Sequence, residues 1–433
     1  MNLNDENPAH AAENPTSPAR RASGWRKMFS AFRHRNYRLF FLGQLLSLIG
    51  NWVNSTAEGW LVYQLTGSTA LLGVVAAAST GPMLFLSTWG GWIADRHPKR
   101  TILVFAQVVS MVLSLLLAFL TWSGLIQPWQ IIVIAALGGI VMAFEMPARQ
   151  SFVIEMTSRE DLPNAIALNS SMINGARIVG PAIAGVVMAK FGVALCYLID
   201  GISFIAVILG LLAMRLPKHV HKEHTGSKLD HALGGFRYVW NNARVLTILT
   251  LFAIVGIFGW SYSVLMPAFA RDVLGLGEQA YGALLTASGA GALAGALCVT
   301  AATGRFTPRM LAIGGVWIFS AMIILFALNR NFYAALPLLA GAGFGLMLFM
   351  ATSNSAIQTS VPDDMRGRVM GVWALIFGGM MPLGSLVSGS LAHAVGVPMT
   401  IIIGAIICIL AAAVTLVIVQ RRDRNAATAV SKA

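Results

Sequence analysis

Five polar residues recur at helical spacing within an apolar stretch near the start of the chain. Gln44, Ser47, Asn51, Asn54 and Glu58 follow one another at intervals of three or four residues. Because an α-helix turns once every ~3.6 residues, these side chains are predicted to share one helix face. Amide groups can hydrogen-bond to a polar small molecule, and a carboxyl group away from bulk water can take and release a proton. The stripe could therefore serve small-molecule binding and proton transfer.

A packing interpretation competes with this one for part of the stripe. Asn51 and Asn54 can face water in a cavity, or they can form hydrogen bonds of about 0.6 kcal/mol to a neighbouring helix; both interpretations stay open. For Glu58, a function in proton transfer is favoured, because a carboxyl group removed from bulk water can take and release a proton. The alternative is that Glu58 lies close enough to the outer surface to stay hydrated.

A second polar stripe lies on the fifth apolar run. Ser171, Asn174 and Arg177 again follow at helical spacing, and the sixth run carries Asp200. An arginine near the middle of a membrane needs a partner or a wet cavity. Arg177 could bind an anion, or it could form a fixed ion pair with Glu58 or Asp200. A carboxylate that Arg177 alternately captures and releases would make a proton switch, and we treat this as a hypothesis.

The composition indicates that these stripes lie on membrane-spanning helices. Of the 433 residues, 57% are hydrophobic and only 11% are charged. Apolar runs of about 20 residues are the signature of spanning helices. The sequence therefore predicts an all-α polytopic membrane protein with twelve transmembrane helices. The runs cover residues 37–65, 70–92, 101–123, 128–148, 163–190, 192–214, 244–270, 280–302, 309–328, 332–357, 365–393 and 398–420.

The distribution of positive charge predicts the orientation of these helices. If the first run starts in the cytoplasm, 26 of the 30 Lys and Arg residues lie in the tails and in loops on the cytoplasmic side. The loops on the other side hold Lys190, Arg271 and Arg330. This asymmetry predicts that both termini are cytoplasmic. The net charge of +13 is therefore an orientation signal, and it does not indicate nucleic-acid binding.

A long polar interruption and a weak internal repeat divide the chain into two halves. REDLPNAIALN (159–169) precedes the fifth run, and PDDMRGRVMGVW (362–373) precedes the eleventh. Such repeats are typical of transporters, with the cargo site at the interface of the halves near mid-membrane. The predicted regions are a cytoplasmic tail (1–36), an N-terminal six-helix bundle (37–214), a cytoplasmic linker (215–243), a C-terminal six-helix bundle (244–420) and a second cytoplasmic tail (421–433).

Residue types that support other functions lack the necessary spacing. Cys196, Cys298 and Cys408 all fall in apolar runs, and the eight His residues lie in tails, loops or at a helix edge. Neither set has the spacing of a metal site or an acid–base site. The chain also has no nucleotide-binding loop, so ATP is not expected to be the direct energy source. We therefore expect no catalytic residues, no metal and no cofactor.

The loop after the second run resembles the loop signature of the major facilitator superfamily. GGWIADRHPKRTIL (90–103) contains a glycine, an acid four residues on, an arginine and a basic pair, and Pro98 stands where the family has a second glycine. The resemblance implies a conformational latch in which the acid caps a helix of the other half and pairs with an arginine. The matching residues are Gly91, Asp95, Arg96, Lys99 and Arg100, with Arg149 as the expected partner of Asp95 and Glu145 beside it.

Further segments are similar to one branch of this superfamily, the enterobactin-exporter-like proteins, which are also called transmembrane secretion effectors. They include WLVYQLTGS (60–68), MPARQSFVIEM (146–156) and MPAFARDVLGLGEQAYGALLTASGAGALAGAL (266–297). ARIVGPAIAG in the fifth run also resembles the antiporter motif of drug exporters. The matching residues are Gly180, Pro181 and Gly185, whereas Ala176 and Ala184 stand where the motif has glycine.

The resemblance implies a monomeric secondary transporter of the major facilitator fold in a bacterial inner membrane. Its expected activity is the export of a small amphipathic molecule such as a siderophore, an antibiotic or another drug, driven by proton entry. One alternative is the same fold importing or flipping a metabolite or a lipid, and a remote alternative is a membrane-embedded enzyme. The expected partners are the cargo, protons and the lipid bilayer. The candidate residues for the cargo and proton pathway are Asn51, Asn54, Glu58, Asn174, Arg177 and Asp200.

Overall fold

The chain folds into thirteen α-helices in the described residues of a computed structural model, which are 29–158, 160–215, 228–302 and 305–432. Most of the predicted first tail and residues 216–227 of the predicted linker lie outside the described residues. The helices are α1 (Arg35–Thr66), α2 (Thr69–Arg96), α3 (Lys99–Trp122), α4 (Pro128–Met156), α5 (Leu162–Phe191), α6 (Val193–Leu212), α7 (Lys228–Asn241), α8 (Ala243–Val273), α9 (Glu278–Ala302), α10 (Pro308–Leu328), α11 (Phe332–Ser360), α12 (Asp363–Val395) and α13 (Val397–Lys432).

The helix lengths confirm the prediction of an all-α polytopic membrane protein. Among the described residues, eleven helices are long and apolar enough to cross a membrane. Helix α1 has 32 residues, about 48 Å at ~1.5 Å per residue, which exceeds the ~30 Å hydrocarbon core. Its polar stripe lowers its hydropathy below that of the other eleven. We count it as the twelfth spanning helix, and α7, with 14 residues, lies in the predicted linker.

Local sequence signals place several helix ends. Asn242, Thr307 and Asn331 begin α8, α10 and α11, each by accepting backbone N–H groups of the first turn on its side-chain oxygen. Ser68 caps α2 in the same way. Gly67 ends α1 in a left-handed conformation with φ of 60°, which a residue without a Cβ adopts readily. The tight turn that results makes α1 and α2 antiparallel.

The helices pack as two sets. In the N-terminal set (α1–α6), α2 packs most extensively against α4 and α1 against α6; in the C-terminal set (α8–α13), α11 packs against both α9 and α10. The most extensive crossings between the sets are those of α2 with α12 and of α5 with α9. We propose that the two sets are the two predicted six-helix bundles.

Glycines allow both crossings between the sets. A Cβ on Gly73 of α2 would lie 2.3 Å from the carbonyl oxygen of Ser385 on α12, and a Cβ on Gly282 of α9 would lie 2.5 Å from the carbonyl oxygen of Pro181 on α5. Gly389 and Gly185 complete these contacts. Each crossing lies about two helical turns from the end of the molecule that carries the Gly67 turn. We call this end the Gly67 end and the opposite one the Asp95 end.

At the Asp95 end, a polar cluster joins the segment before α1 to the start of α5. The Asp161 carboxylate accepts hydrogen bonds from Arg33 at 3.3 Å and from the His34 ring at 2.9 Å. Hydrogen bonds from Ser30 and His34, together with the charge of Arg33 and a further bond from Ser158, hold the pKa of Asp161 well below its usual range. The cluster fixes the start of α1 against the N-terminal set.

Candidate functional site

A cavity of about 240 Å³ lies between the two sets of helices. Six helices contribute to its wall, and the wall combines aromatic, hydroxyl and charged side chains. Of the residues predicted for the cargo and proton pathway, Glu58 of α1 and Arg177 of α5 line it. The other lining residues are Trp52, Ser55, Thr56, Gly59, Val62, Leu72, Val75, Ala76, Ser79, Thr80, Pro181, Trp260, Tyr262, Ser263, Val264, Pro267, Tyr281, Leu285, Ser288, Met381 and Ser385.

Glu58 is half-buried in the cavity wall and faces the C-terminal set. Within the part of the chain that the structure describes, no hydrogen bond or ion pair to its carboxylate is found. Tyr281 of α9 lies nearby, because a Cβ on Gly59 would approach its hydroxyl to 3.1 Å. An unpaired carboxylate in a cavity wall can attract a cation or bind a proton.

Arg177 lies against aromatic rings from both sets. Its guanidinium carbon is 5.5 Å from the ring centroid of Trp260 on α8 and 6.0 Å from that of Trp52 on α1. These distances suit cation–π attraction, worth about 0.5–2 kcal/mol. Among the described residues, Arg177 forms an ion pair with neither Glu58 nor Asp200 in this conformation. The hypothesis of a proton switch between them stays a prediction.

The polar stripe of α1 divides between the cavity and the interior of the N-terminal set. Asn54 donates to Asp200 of α6 at 2.6 Å and to Ser114 of α3 at 2.8 Å. Asn51 donates to the backbone oxygen of Ser47 on its own helix. For Asn54, this geometry favours the hydrogen-bonding interpretation over direct contact with cargo.

The close crossing of α1 and α6 is the reason for this division. A Cβ on Gly50 would lie 2.8 Å from Asp200 Oδ1, and a Cβ on Gly43 would lie 3.0 Å from the backbone of Ala206. These two glycines fall on the same side of α1 as the stripe, so that side meets α6. Asn174 of the second stripe is half-buried and donates to the backbone oxygen of Ser170. It does not line the cavity described above.

The residues of the loop signature take part in several contacts at the Asp95 end. Arg149 forms an ion pair with Glu145 one turn away at 3.4 Å, and Lys99 pairs with Glu155 of α4. Arg100 donates to the backbone oxygen of Leu212 at 2.7 Å. Arg96 lies 4.1 Å above the ring of Trp92. The pairing of Asp95 with Arg149 stays a prediction.

Within the signature, the packed glycine is Gly90. A Cβ on Gly90 would lie 2.2 Å from the backbone oxygen of Ala143 on α4, whereas a Cβ on Gly91 would meet open space. We therefore expect Gly90→Ala to lower the thermal unfolding temperature, because overpacking costs about 1–3 kcal/mol. Gly91→Ala is the matched control and should leave it unchanged in a detergent melting assay. Equal melting temperatures for both variants would contradict this packing.

The motif residues of the fifth run pack α5 against two neighbours. A Cβ on Gly180 would lie 2.3 Å from the Cβ of Trp52 on α1, and one on Gly185 would lie 3.1 Å from Gly282 of α9. Pro181 lines the cavity and supplies the carbonyl oxygen next to Gly282. The motif therefore joins the cavity to the crossing between the sets.

The sequence did not predict the aromatic part of the cavity wall or a group of hydrogen-bonded residues between the cavity and the Gly67 end. Trp52, Trp260, Tyr262 and Tyr281 line the cavity. The sequence signal that could have identified Trp52 is that it shares a helix face with Ser55 and Gly59.

At the Gly67 end, α1 is hydrogen-bonded to the C-terminal set through a group of residues that we call the outer gate. The Tyr63 hydroxyl donates to Asp272, Arg271 donates to the Tyr63 backbone oxygen at 3.3 Å, and Trp60 donates to Glu278 at 3.1 Å.

Comparison with known proteins places the chain among transporters. A family model described as transmembrane secretion effector matches residues 26–433. The staphyloferrin A transporter of Staphylococcus aureus is 28% identical over 374 residues, which cover 84% of this chain and 91% of that protein. The multidrug efflux pump Tap of Mycobacterium tuberculosis is 28% identical over 376 residues, with 84% and 88% covered. The enterobactin exporter EntS of Shigella boydii is 24% identical over 345 residues, with 78% and 81% covered.

The solved structures give an independent view of the fold. A bacterial homologue of the human lysosomal transporter Spinster aligns with a TM-score of 0.70 at 14% identity, covering 88% of this chain and 96% of that one. At this identity the likeness concerns the fold alone. It agrees with the fold class predicted from the twelve apolar runs and the loop signature.

Proposed function

The chain belongs to the transmembrane secretion effector family, and on that premise we propose that it exports small amphipathic molecules in exchange for protons. Members of this family and the similar proteins are transporters of the major facilitator type and not enzymes. Two of these relatives are named for siderophores and one for multidrug efflux. We propose a siderophore, an antibiotic or another drug as the cargo class.

The cavity between the two sets carries this proposal. Its wall offers flat aromatic faces for an apolar cargo, while Glu58 and Arg177 offer one negative and one positive group. A cavity with a largely apolar wall and a few polar groups is the usual form of a small-molecule site. Because both charged groups lie where the two sets meet, a bound cargo would contact both sets.

The positions at which the two sets touch support alternating access as the proposed transport mechanism. The glycine crossings and the outer gate lie at the Gly67 end, so this conformation is closed there. The asymmetry of positive charge supports an orientation in which the Asp95 end and both termini face the cytoplasm. Cargo would enter from the cytoplasm, and rocking of one set against the other would then open the Gly67 end. We propose a monomer in the inner membrane of a bacterial cell.

An efflux assay on variants that each remove one charge from the cavity tests this function. In cells that lack their main pumps, we expect the wild type to lower accumulation of at least one compound in a panel of dyes, antibiotics and siderophores. A protonophore should abolish the difference. Glu58→Gln should reduce efflux of cationic cargo by about tenfold, and Arg177→Gln should do the same for anionic cargo, since losing one charge–charge contact of ~1.4 kcal/mol changes affinity tenfold.

Each variant is the control for the other, because each removes one charge from the same cavity. No difference from empty vector across the whole panel would contradict the export proposal. Uptake instead of loss of a compound along the pH gradient in loaded cells would favour the alternative of import. Equal losses for both cargo classes in both variants would mean that the charges support the structure and do not select the cargo.

A further inference from the structure

We propose that the coupling proton is carried by Asp200 in a site inside the N-terminal set, separate from the cargo cavity. This inference rests on the proposed proton-coupled export and assigns its proton site. Two acids of the membrane interior then have different roles. Glu58 contacts the cargo, and Asp200 binds the proton.

The Asp200 site is built from three helices. The residue is 1% exposed, and its Oδ2 accepts hydrogen bonds from Asn54 Nδ2 of α1 and from Ser114 Oγ of α3, both at 2.6 Å. Asn54 also donates to Ser114 Oγ at 2.8 Å. The three side chains thus form a closed ring of hydrogen bonds across α1, α3 and α6.

The other carboxyl oxygen of Asp200 lacks a partner in the described part of the chain, which indicates that the site binds a proton. Asp200 Oδ1 is buried and has no hydrogen-bond partner among the residues that the structure describes. An ionised carboxylate with one such oxygen is unfavourable in a membrane interior, because its charge is neither paired nor fully hydrogen-bonded. A proton on the carboxyl group removes that charge. The site therefore suits an acid that is protonated for part of the transport cycle.

A second buried oxygen belongs to the same helix as Asp200. Tyr197 precedes Asp200 by about one turn on α6, on the side of the Gly67 end, where α6 begins. Its hydroxyl is also buried and has no partner in the described segments. Buried polar atoms of this kind are commonly satisfied by internal water. Water at this hydroxyl would lie between the level of Asp200 and the Gly67 end.

The surroundings leave Asp200 without a permanent counter-ion. The helices packed against α6 are α1, α3 and α5. Helix α1 contributes Glu58, one turn beyond Asn54; α3 has no charged residue after Arg100; and α5 contributes Arg177, which lies against Trp52 and Trp260. The other titratable groups on this part of α6 are Cys196 and Tyr197. None of them forms an ion pair with Asp200 among the described residues.

Helix α1 connects the proton site with the cargo cavity. Asn54 faces Asp200, while Trp52 and Glu58 of the same helix line the cavity, which neither Asp200 nor Ser114 does. The close approach of Gly50 to Asp200 leaves little room between α1 and α6. Loss of the proton would strengthen the hydrogen bonds that pull Asn54 and Ser114 towards the carboxylate. Such a change moves α1 and therefore the cavity wall.

Infrared difference spectroscopy of the purified full-length protein tests this assignment without any cargo. A pH titration should reveal the C=O stretching band of a protonated carboxyl group, and Asp200→Asn should remove it. Ser114→Ala removes one hydrogen bond and should shift the band in frequency without abolishing it. Glu58→Gln should leave this band in place. A band that is unchanged in both Asp200→Asn and Ser114→Ala would overturn the proposal.

Transport gives a second readout. For a compound that the wild type exports, such as ethidium if it is exported, Asp200→Asn should make efflux insensitive to a protonophore and lower it at least tenfold. Retention of protonophore-sensitive efflux in Asp200→Asn would overturn the assignment. If wild-type efflux is itself insensitive to the protonophore, proton-coupled export fails, and the infrared band still decides whether Asp200 binds a proton. If Asp200→Asn does not fold, the band shift in Ser114→Ala decides the question alone.

Discussion

Gly282→Val is expected to abolish transport while leaving both sets of helices folded. A Cβ at this position would lie 2.5 Å from the carbonyl oxygen of Pro181 and 2.8 Å from the Cα of Gly185. Both atoms belong to backbone, so α5 and α9 must move apart. Overpacking of this kind costs about 1–3 kcal/mol for small insertions, and valine adds more atoms than one Cβ. The cost falls on the conformation that is closed at the Gly67 end, because the crossing joins the two sets.

Thiol labelling measures this shift. Ser55 is exposed within the cavity wall, so Ser55→Cys in a background without the three native cysteines reports access to the cavity. In intact cells, a membrane-impermeant reagent should label Ser55→Cys at least tenfold faster when Gly282→Val is also present. Efflux of an exported compound should fall to the level of empty vector.

Two glycines provide matched controls. Gly291 lies on the same helix as Gly282, but a Cβ there would meet the backbone of Ala340 on α11, within the C-terminal set. Gly291→Val should lower the thermal unfolding temperature and should not increase labelling of folded protein. Gly314→Val adds a side chain in open space and should change neither quantity. Slow labelling in Gly282→Val together with normal efflux would refute the role of this crossing as the closed contact.

The double variant Trp60→Phe with Tyr63→Phe is expected to weaken the outer gate without removing its aromatic packing. The two substitutions delete the indole N–H bonded to Glu278 and the hydroxyl bonded to Asp272. A hydrogen bond to a charged group contributes about 1.5–3 kcal/mol. Loss of both should favour opening at the Gly67 end by about 3 kcal/mol, which is roughly a hundredfold change in population.

The same Ser55→Cys reporter should therefore be labelled faster from outside in this double variant. Unlike Gly282→Val, the double variant can still close, so we expect reduced efflux and not its complete loss. Tyr333→Phe removes the hydroxyl of an exposed tyrosine at the same end of the molecule and serves as the control. Labelling at the wild-type rate in the double variant would show that the glycine crossings alone hold this end closed.

The sequence by itself determined the fold class, because each apolar run that specifies a spanning helix is a local feature of the chain. Twelve apolar runs predict twelve helices, since each run must satisfy its own backbone hydrogen bonds in lipid. Helix ends depend on local sequence too, because caps such as Asn242, Thr307 and Asn331 act within one turn of their own helices. The loop signature then led to the superfamily, and further segments such as WLVYQLTGS (60–68) led to the family that the comparisons confirm.

Residue spacing also identified two charged groups of the cavity, Glu58 and Arg177, because a charge in a spanning helix stands out from its neighbours. Spacing placed Asn54 and Glu58 on one face, and the structure keeps them there. It could not show that this face lies at the boundary between α6 and the cavity. That boundary depends on how closely α1 approaches α6, which Gly43 and Gly50 set through contacts with residues more than 100 positions away.

Only the tertiary structure decided which partners the polar groups have. Gly90 and Gly91 are identical in sequence terms, yet only Gly90 meets a neighbouring helix. Asp200 is held by one residue from α1 and one from α3, and Trp60 and Tyr63 meet acids of the opposite set. The physical reason is that helix period fixes the direction of a side chain relative to its own helix axis. Which residue it meets there depends on the rotation and crossing of whole helices. These in turn are determined by how the thirteen helices pack together.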